Sequence, residues 1–201
     1  MVLNNADARK IVSGILLPPA RLLIRWHVSP DAITILGTVA AVLTALICFP
    51  QGYFVVGPLL ITFFALADLL DGTMARLAGT SGPWGNFLDA TLDRVADGAI
   101  FAGFIWWALN NDNVWVGVAA SLALVTGQVT SYAKARAEAV GATANVGIAE
   151  RAERLIIILA ATFFTGLGVP YILPIALWVI GILGVITVVQ RIVHVRGQLR
   201  V

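Results

Sequence analysis

The sequence predicts an all-α integral membrane protein: six transmembrane helices with an N-terminal amphipathic interfacial helix. Three observations lead there. Apolar residues fill 59% of the 201 positions against 12% charged, and mean hydropathy is +0.91, more apolar surface than a soluble domain of this length hides in its core. Long apolar runs recur, each close to the ~20 residues that cross a bilayer's hydrocarbon. Lys and Arg return at every second break between the runs, a pattern that an even number of crossings explains.

Taken in order, residues Met1–Asn5 lack the basic start and apolar core of a signal peptide. From Ala6 to His27 the chain alternates faces. Ile11, Val12, Ile15, Leu16, Leu22 and Leu23 stand against Arg9, Lys10, Arg21 and Arg25, with an interruption at Pro18-Pro19. No apolar run here is long enough to span. Residues 1–28 therefore read as an amphipathic helix lying in the membrane interface, its arginines on anionic headgroups.

Ser29-Pro30-Asp31 breaks the chain and starts the first span, Ala32 to Phe49, with proline where a missing N–H costs little. The second span runs from Val55 to Leu77, the third from Gly85 to Leu109 and the fourth from Val114 to Val140. The fifth runs from Arg151 to Leu167 and the sixth from Pro170 to Val195. Residues 29–201 make one six-helix membrane domain, with no soluble second domain and no internal repeat. Small residues four apart, Gly37/Ala41/Ala45, Gly98/Ala102 and Gly117/Ser121, allow close helix approach. Cys48 lies alone in an apolar run, has no intrachain disulfide partner, and reads as packing.

The charges divide by side. Arg9 through Arg25, Arg76, Arg94, Lys134, Arg136, Arg151, Arg154 and Arg191 through Arg200 all fall at one set of span ends. The opposite loops, Pro50-Gln51-Gly52, Asn110-Asn111-Asp112 and Gly166-Leu167-Gly168, carry none. The positive-inside bias places both termini and the charged ends in the cytoplasm of a multi-pass plasma-membrane protein. A net charge of +2 implies no nucleic-acid partner.

One stretch concentrates chemistry. Asp68-Leu69-Leu70-Asp71-Gly72-Thr73-Met74-Ala75-Arg76 is followed, after eight residues, by Gly85-Asn86-Phe87-Leu88-Asp89-Ala90-Thr91-Leu92-Asp93. On helices, Asp68 and Asp71 share one face, as do Asp89 and Asp93. Both pairs sit where long apolar runs meet, and an ionised carboxylate there is costly without a partner. Four carboxylates on adjoining helices, with no Cys or His nearby, favour a hard divalent cation such as Mg²⁺ or Mn²⁺. The bland alternative is a set of helix-end charges or an internal ion-pair network. Gly72 and Ala75 leave space for a ligand, Arg76 offers donors to phosphate, and Thr80, Ser81, Gly82 and Gly85 can supply backbone N–H groups. Asp97 extends the Asp89/Asp93 stripe by a turn and reads as a structural partner for an arginine.

The spacing DxxDGxxAR-x8-GxxxDxxxD resembles, residue for residue, the signature of the CDP-alcohol phosphotransferase family of membrane enzymes. That resemblance implies metal ligation by Asp68, Asp71 and Asp89, with two ions at the centre. It also implies that Asp93 takes the alcohol proton while lying near metal. Asp31-Ala32-Ile33-Thr34 is similar to the family's short motif that contacts cytidine, with Asp31 where many relatives carry Asn; capping of the first span is the other reading of Asp31 and Thr34. Homodimers are implied as well.

A basic group completes the picture: Ser131-Tyr132-Ala133-Lys134-Ala135-Arg136-Ala137-Glu138, then Glu150-Arg151-Ala152-Glu153-Arg154, and Arg191. Lys134/Glu138 and Glu150/Arg154 have the spacing of surface ion pairs, which contribute little, and topology-setting charge is a second reading. These runs resemble the branch of the family whose acceptor is inositol phosphate. There Lys134, Arg154 and Arg191 would hold the acceptor phosphate, with Arg136 and Ser131 near. The reaction implied is transfer of the phosphatidyl group of CDP-diacylglycerol to inositol phosphate, giving phosphatidylinositol phosphate and CMP. Glycerol 3-phosphate, which also carries phosphate, is the nearest rival acceptor. A cation pathway or transporter is the rival of another class, opposed by acids clustered at one end of the bundle.

Overall fold

The computed structural model describes residues 17–80, 82–148 and 150–199, excluding the side chains of 67–69. The predicted interfacial residues Arg9, Lys10, Ile11, Val12, Ile15 and Leu16 lie outside the described residues, as do Ser81 and Arg200. Residues 17–25 are helical, Pro18 and Pro19 included, where the sequence reading puts an interruption.

Six long helices follow: α1 Pro30–Cys48, α2 Val56–Ala78, α3 Pro83–Asn110, α4 Val114–Ala139, α5 Arg151–Gly166 and α6 Ile172–Leu199. Among the described residues there is no strand. Their ends have local causes. Ser29 Oγ accepts from the Ala32 N–H at 3.2 Å, so Ser29 caps α1, and Asp31 is left free of the capping role the sequence allowed it. Proline opens both α1 and α3, its fixed φ already helical. Asn113 caps α4 through the Val116 N–H, 3.2 Å. Tyr171 sits at φ 60°, outside helical space, so α6 begins after it rather than at Pro170. At its other end α6 runs beyond Val195 to Leu199.

Four helices, α1, α2, α4 and α6, are long and apolar enough to cross a membrane. The other two differ for physical reasons. The first 15 residues of α3, Pro83–Asp97, carry Asp89, Asp93, Arg94 and Asp97. The 16 residues of α5 reach about 24 Å at 1.5 Å per residue, short of the ~30 Å hydrocarbon core. Large apolar side chains such as Leu36, Phe63, Leu109 and Trp115 are exposed, which suits a lipid surrounding.

The chain divides into two compact units, Met1–Leu43 with Leu60–Ala96, and Thr44–Leu59 with Asp97–Val201. In the first, α1 passes α2 at Gly37, where a Cβ would stand 3.8 Å from the Phe64 carbonyl oxygen. Thr34, Ile61 and Met74 are buried there.

In the second unit Phe49 stacks on Phe104 with centroids 4.4 Å apart, and Phe54 meets Trp107 at 5.2 Å. Gly103 lets this cluster close, because a Cβ would lie 2.7 Å from the Ala45 carbonyl oxygen. Helix α6 meets α4 where a Cβ on Gly184 would collide with the Thr126 hydroxyl and lie 2.7 Å from Thr126 Cβ. Of the small residues picked from spacing, Ala45 stands at one of these tight crossings, whereas Gly117 faces Ala108 at an ordinary 3.5 Å. Spacing identifies small residues, whereas the helix face decides which of them are crowded.

The segment between α4 and α5 runs along α6 on a polar ladder. Gln198 Nε2 donates to the Thr143 carbonyl (2.7 Å), and its Oε1 accepts from the Thr143 N–H (2.9 Å). Arg191 Nε donates to the Val146 carbonyl (3.0 Å), and the Ile148 N–H donates to Thr187 Oγ1 (3.4 Å). Val195 packs on Ala137, Ala142 and Ala144.

Candidate active site: an acidic and a basic group

The acidic group belongs to the first unit. Asp71, three residues beyond Asp68 on α2, is half-buried, and the Thr34 hydroxyl of α1 donates to its Oδ2. That bond links the expected cytidine motif to an expected metal ligand within one unit. Asp89 is exposed near the start of α3; Asp93, a turn later, is half-buried with Arg94 Nη2 at 3.7 Å. The side chain of Asp68 lies outside the described residues. Among those described, no three His, Cys, Asp or Glu side chains converge as a metal-binding group. The donor set is nonetheless all carboxylate, with no His or Cys on α2 or the first half of α3, and such a set fits a hard divalent cation.

The neighbours of the acids are ordered as well. Arg76 Nη2 donates to Thr73 Oγ1 at 3.1 Å, and a Cβ on Gly72 would meet Arg76 Nη1 at 3.6 Å. Trp84 Nε1 donates to Asp31 Oδ2 at 2.9 Å. Ala32 and Ile33 are half-buried in the first turn of α1, and Ala75 is half-buried on α2. Gly85 falls in the first turn of α3, where backbone N–H groups have no intrahelical acceptor and attract anions; Gly82 precedes that turn.

The basic group belongs to the second unit and is uneven in burial. Lys134 and Arg136 are exposed near the end of α4, and Ser131 is half-buried, its Oγ donating to the Gly127 carbonyl at 3.2 Å. Arg154 is 5% exposed and Arg191 7% exposed. The Arg154 guanidinium passes α4 at Gly127, where a Cβ would stand 3.5 Å from Nη2. Arg191 commits Nε to Val146 and Nη1 to the Thr130 carbonyl, 2.6 Å. Two N–H donors of a fork that carries five therefore hold backbone. Asp97 pairs with Arg151, Nε to Oδ1 at 3.1 Å, in agreement with its reading as a structural partner.

A family model described as CDP-alcohol phosphatidyltransferase matches residues 27–190. The chain belongs to this family. The matched span contains the whole acidic signature and ends one residue before Arg191. A phosphatidylinositol phosphate synthase of Streptomyces avermitilis is 47% identical over 96% of this chain and 83% of its own length. One of Cutibacterium acnes is 49% identical, covering 89% of this chain and 91% of itself. Among solved structures, the Mycobacterium tuberculosis phosphatidylinositol phosphate synthase with CDP-DAG bound superposes with a TM-score of 0.87. It is 44% identical and covers 90% of this chain and 93% of its own. The same enzyme in complex with manganese and citrate gives 0.86, covering 90% and 88%.

Membership makes the chain an enzyme of phospholipid synthesis. Sequence reasoning passed over four of the residues that organise its groups: Trp84, Thr130, Thr187 and Gln198. The last two carried a signal, because Thr187, Arg191 and Gln198 recur on one face of a 3.6-residue helix. Thr130 is 3% exposed, and its hydroxyl has no hydrogen-bond partner among the described residues.

Proposed function

We propose that this protein transfers the phosphatidyl group of CDP-diacylglycerol to inositol phosphate, releasing CMP and leaving phosphatidylinositol phosphate in the membrane. The observation that carries the reading is a complete acidic signature, Asp68 to Asp93, together with a second group of cations on α4, α5 and α6. Two of those cations, Arg154 and Arg191, are buried, and a buried guanidinium needs acceptors or counter-charge to be stable. Arg191 commits two of its five N–H donors to backbone carbonyls, and a phosphate-bearing acceptor suits the others. Relatives 44–49% identical carry the name of that activity.

The residues divide by substrate. Asp31, Ala32, Ile33 and Thr34 seat the cytidine. Gly72 and Ala75 leave room for the diphosphate, to which Arg76 donates, and the backbone N–H groups at Gly82 and Gly85 face the same charge. Asp68, Asp71, Asp89 and Asp93 would hold Mg²⁺ or Mn²⁺, two ions in all, which when bound neutralise the diphosphate and ease departure of CMP. Ser131, Lys134, Arg136, Arg154 and Arg191 take the acceptor's phosphate. Asp93 accepts the proton of the acceptor hydroxyl as that oxygen bonds to the lipid-bearing phosphorus and the bond from phosphorus to the CMP oxygen breaks.

In this reading α3 and α5 also cross the membrane, giving six spans, residues 1–28 lie in the interface, and residues 29–201 form the membrane domain. The positive-inside bias puts both termini and the charged groups on the cytoplasmic side of the plasma membrane, and the enzyme is a homodimer. The test is CMP release by purified protein given CDP-diacylglycerol and Mg²⁺, with inositol phosphate, glycerol 3-phosphate, inositol or serine offered in parallel. Preference for inositol phosphate supports the reading, and preference for glycerol 3-phosphate reassigns the acceptor. Absence of metal-dependent CMP release with every acceptor returns the acids to an ion-pathway role.

A further inference from the structure

We propose that Trp84 is a positioning residue for recognition of the cytosine base. Its indole holds the Asp31 carboxylate so that the second carboxylate oxygen accepts from the base's exocyclic amine and rejects uracil. The inference rests on the nucleotide reading of Asp31–Thr34 given above. Trp84 Nε1 donates to Asp31 Oδ2 at 2.9 Å, joining the start of α3 to the first turn of α1 across 53 positions of sequence. Among the described residues the Asp31 carboxylate has no other partner, and Ser29 has already taken the capping role.

The bond has one possible polarity. An indole N–H only donates and carboxylate oxygens only accept, so the pair offers a further acceptor and no donor to whatever binds beside it. At the ring position where cytosine carries an amino group, uracil carries a carbonyl oxygen. A carboxylate accepts from the first and repels the second. An untethered aspartate at a helix end moves among rotamers. Tethered at Oδ2, Asp31 presents Oδ1 in one direction, and the cost of ordering it is met before the nucleotide arrives.

The tether is itself supported. The Trp84 ring leans on Phe87, three residues on, with centroids 6.0 Å apart. Asp31 and Thr34, also three apart, share a face of α1, and the Thr34 hydroxyl donates to Asp71. One face of α1 is thereby bonded to both helices of the acidic signature, to α2 through Thr34 and to α3 through Asp31. All of these residues belong to the first unit, so Asp31 is fixed against the helix that carries Asp89 and Asp93. The ordinary use of an exposed tryptophan near a membrane surface is anchoring. Trp84 is 62% exposed, but an anchor turns its N–H to headgroups or water, whereas this one is committed to a half-buried carboxylate.

The test uses the full chain in lipid nanodiscs. Kd is measured directly for CMP and for UMP, so the readout does not depend on the acceptor, and steady-state kinetics are run with each substrate varied in turn. Trp84→Phe keeps the ring and removes the N–H. It is expected to weaken CMP and raise KM for CDP-diacylglycerol about tenfold, the low end for a lost hydrogen bond to a charged group. Affinity for UMP should stay within about twofold, so the preference for CMP falls about tenfold, while kcat and KM for inositol phosphate stay within about twofold. Trp84→Leu, which also lacks a donor, takes its place if Trp84→Phe does not accumulate. Asp31→Asn should lower the same preference at least as much. Because Trp84 acts through Asp31, adding Trp84→Phe to Asp31→Asn should change the preference by less than about twofold more. The proposal is overturned if the Trp84 variant alters kcat and both KM values alike, or if the two substitutions multiply in full. It is also overturned if the preference for CMP is unmoved in the Trp84 variant while Asp31→Asn lowers it. If Asp31→Asn itself leaves that preference unchanged, the nucleotide reading of Asp31 has failed, and the role of Trp84 falls with it.

Discussion

Arg191 offers the sharpest separation of binding from scaffolding. Its Nε and Nη1 hold the Val146 and Thr130 carbonyls at 3.0 and 2.6 Å, and the side chain is 7% exposed. Arg191→Ala removes two hydrogen bonds from a charged donor, each contributing roughly 1.5–3 kcal/mol. Sharing one side chain keeps them from adding fully. Only the Val146 bond joins segment 142–148, so a loss of about 1.5–3 kcal/mol is expected there, equivalent to about 10- to 150-fold in its opening equilibrium. Arg191→Lys keeps the charge but loses the fork, so one carbonyl stays bonded and about half of the loss returns. The assay is hydrogen exchange of the segment's amides, Ile148 above all, because its N–H bonds to Thr187 one turn from Arg191. Acceptor KM is measured on the same preparations. Faster exchange in Arg191→Ala, with partial recovery in the Lys variant, establishes the scaffolding role. Unchanged protection over 142–148, alongside a raised acceptor KM, would refute it and leave Arg191 as a phosphate ligand alone.

Three further outcomes are expected. Asp71→Asn and Asp89→Asn should each lower turnover by at least about 100-fold while thermal unfolding in detergent stays within a few degrees, because a neutral amide is a poor ligand for a hard cation; near-wild-type turnover in both at low Mg²⁺ would remove the metal assignment. Gly184→Ala should destabilise by about 1–3 kcal/mol through overpacking against Thr126. Thr126→Gly in the same chain should relieve it, whereas Thr126→Ser, which keeps both the Cβ and the hydroxyl, should not; a stable single variant counts against this crossing. Cysteines introduced at Asn111 and Gly168 should react with impermeant reagents only from outside intact cells, and labelling from the cytoplasm would reverse the topology.

The helices were legible in the sequence because their causes are local. Apolar run length, Pro30 at a helix start, and Asn and Gly at the breaks placed all six starts within two residues of those observed; the third moved back by two to Pro83, and the last moved on by two because Tyr171 adopts a positive φ. The acidic signature was equally legible, since three- and four-residue spacings define a helix face without reference to neighbours. Burial was not. Lys134, Arg136, Arg154 and Arg191 form one basic set in the sequence, yet only the two arginines on α5 and α6 are buried, and which cation turns inward depends on the face another helix covers. The Asp97–Arg151 pair joins positions 54 residues apart, and Gln198 and Thr143 meet across 55. No periodicity in one segment reports such pairings, because they are selected by packing between helices, where the hydrogen-bonding needs of buried charge are met by whichever partner the fold brings near.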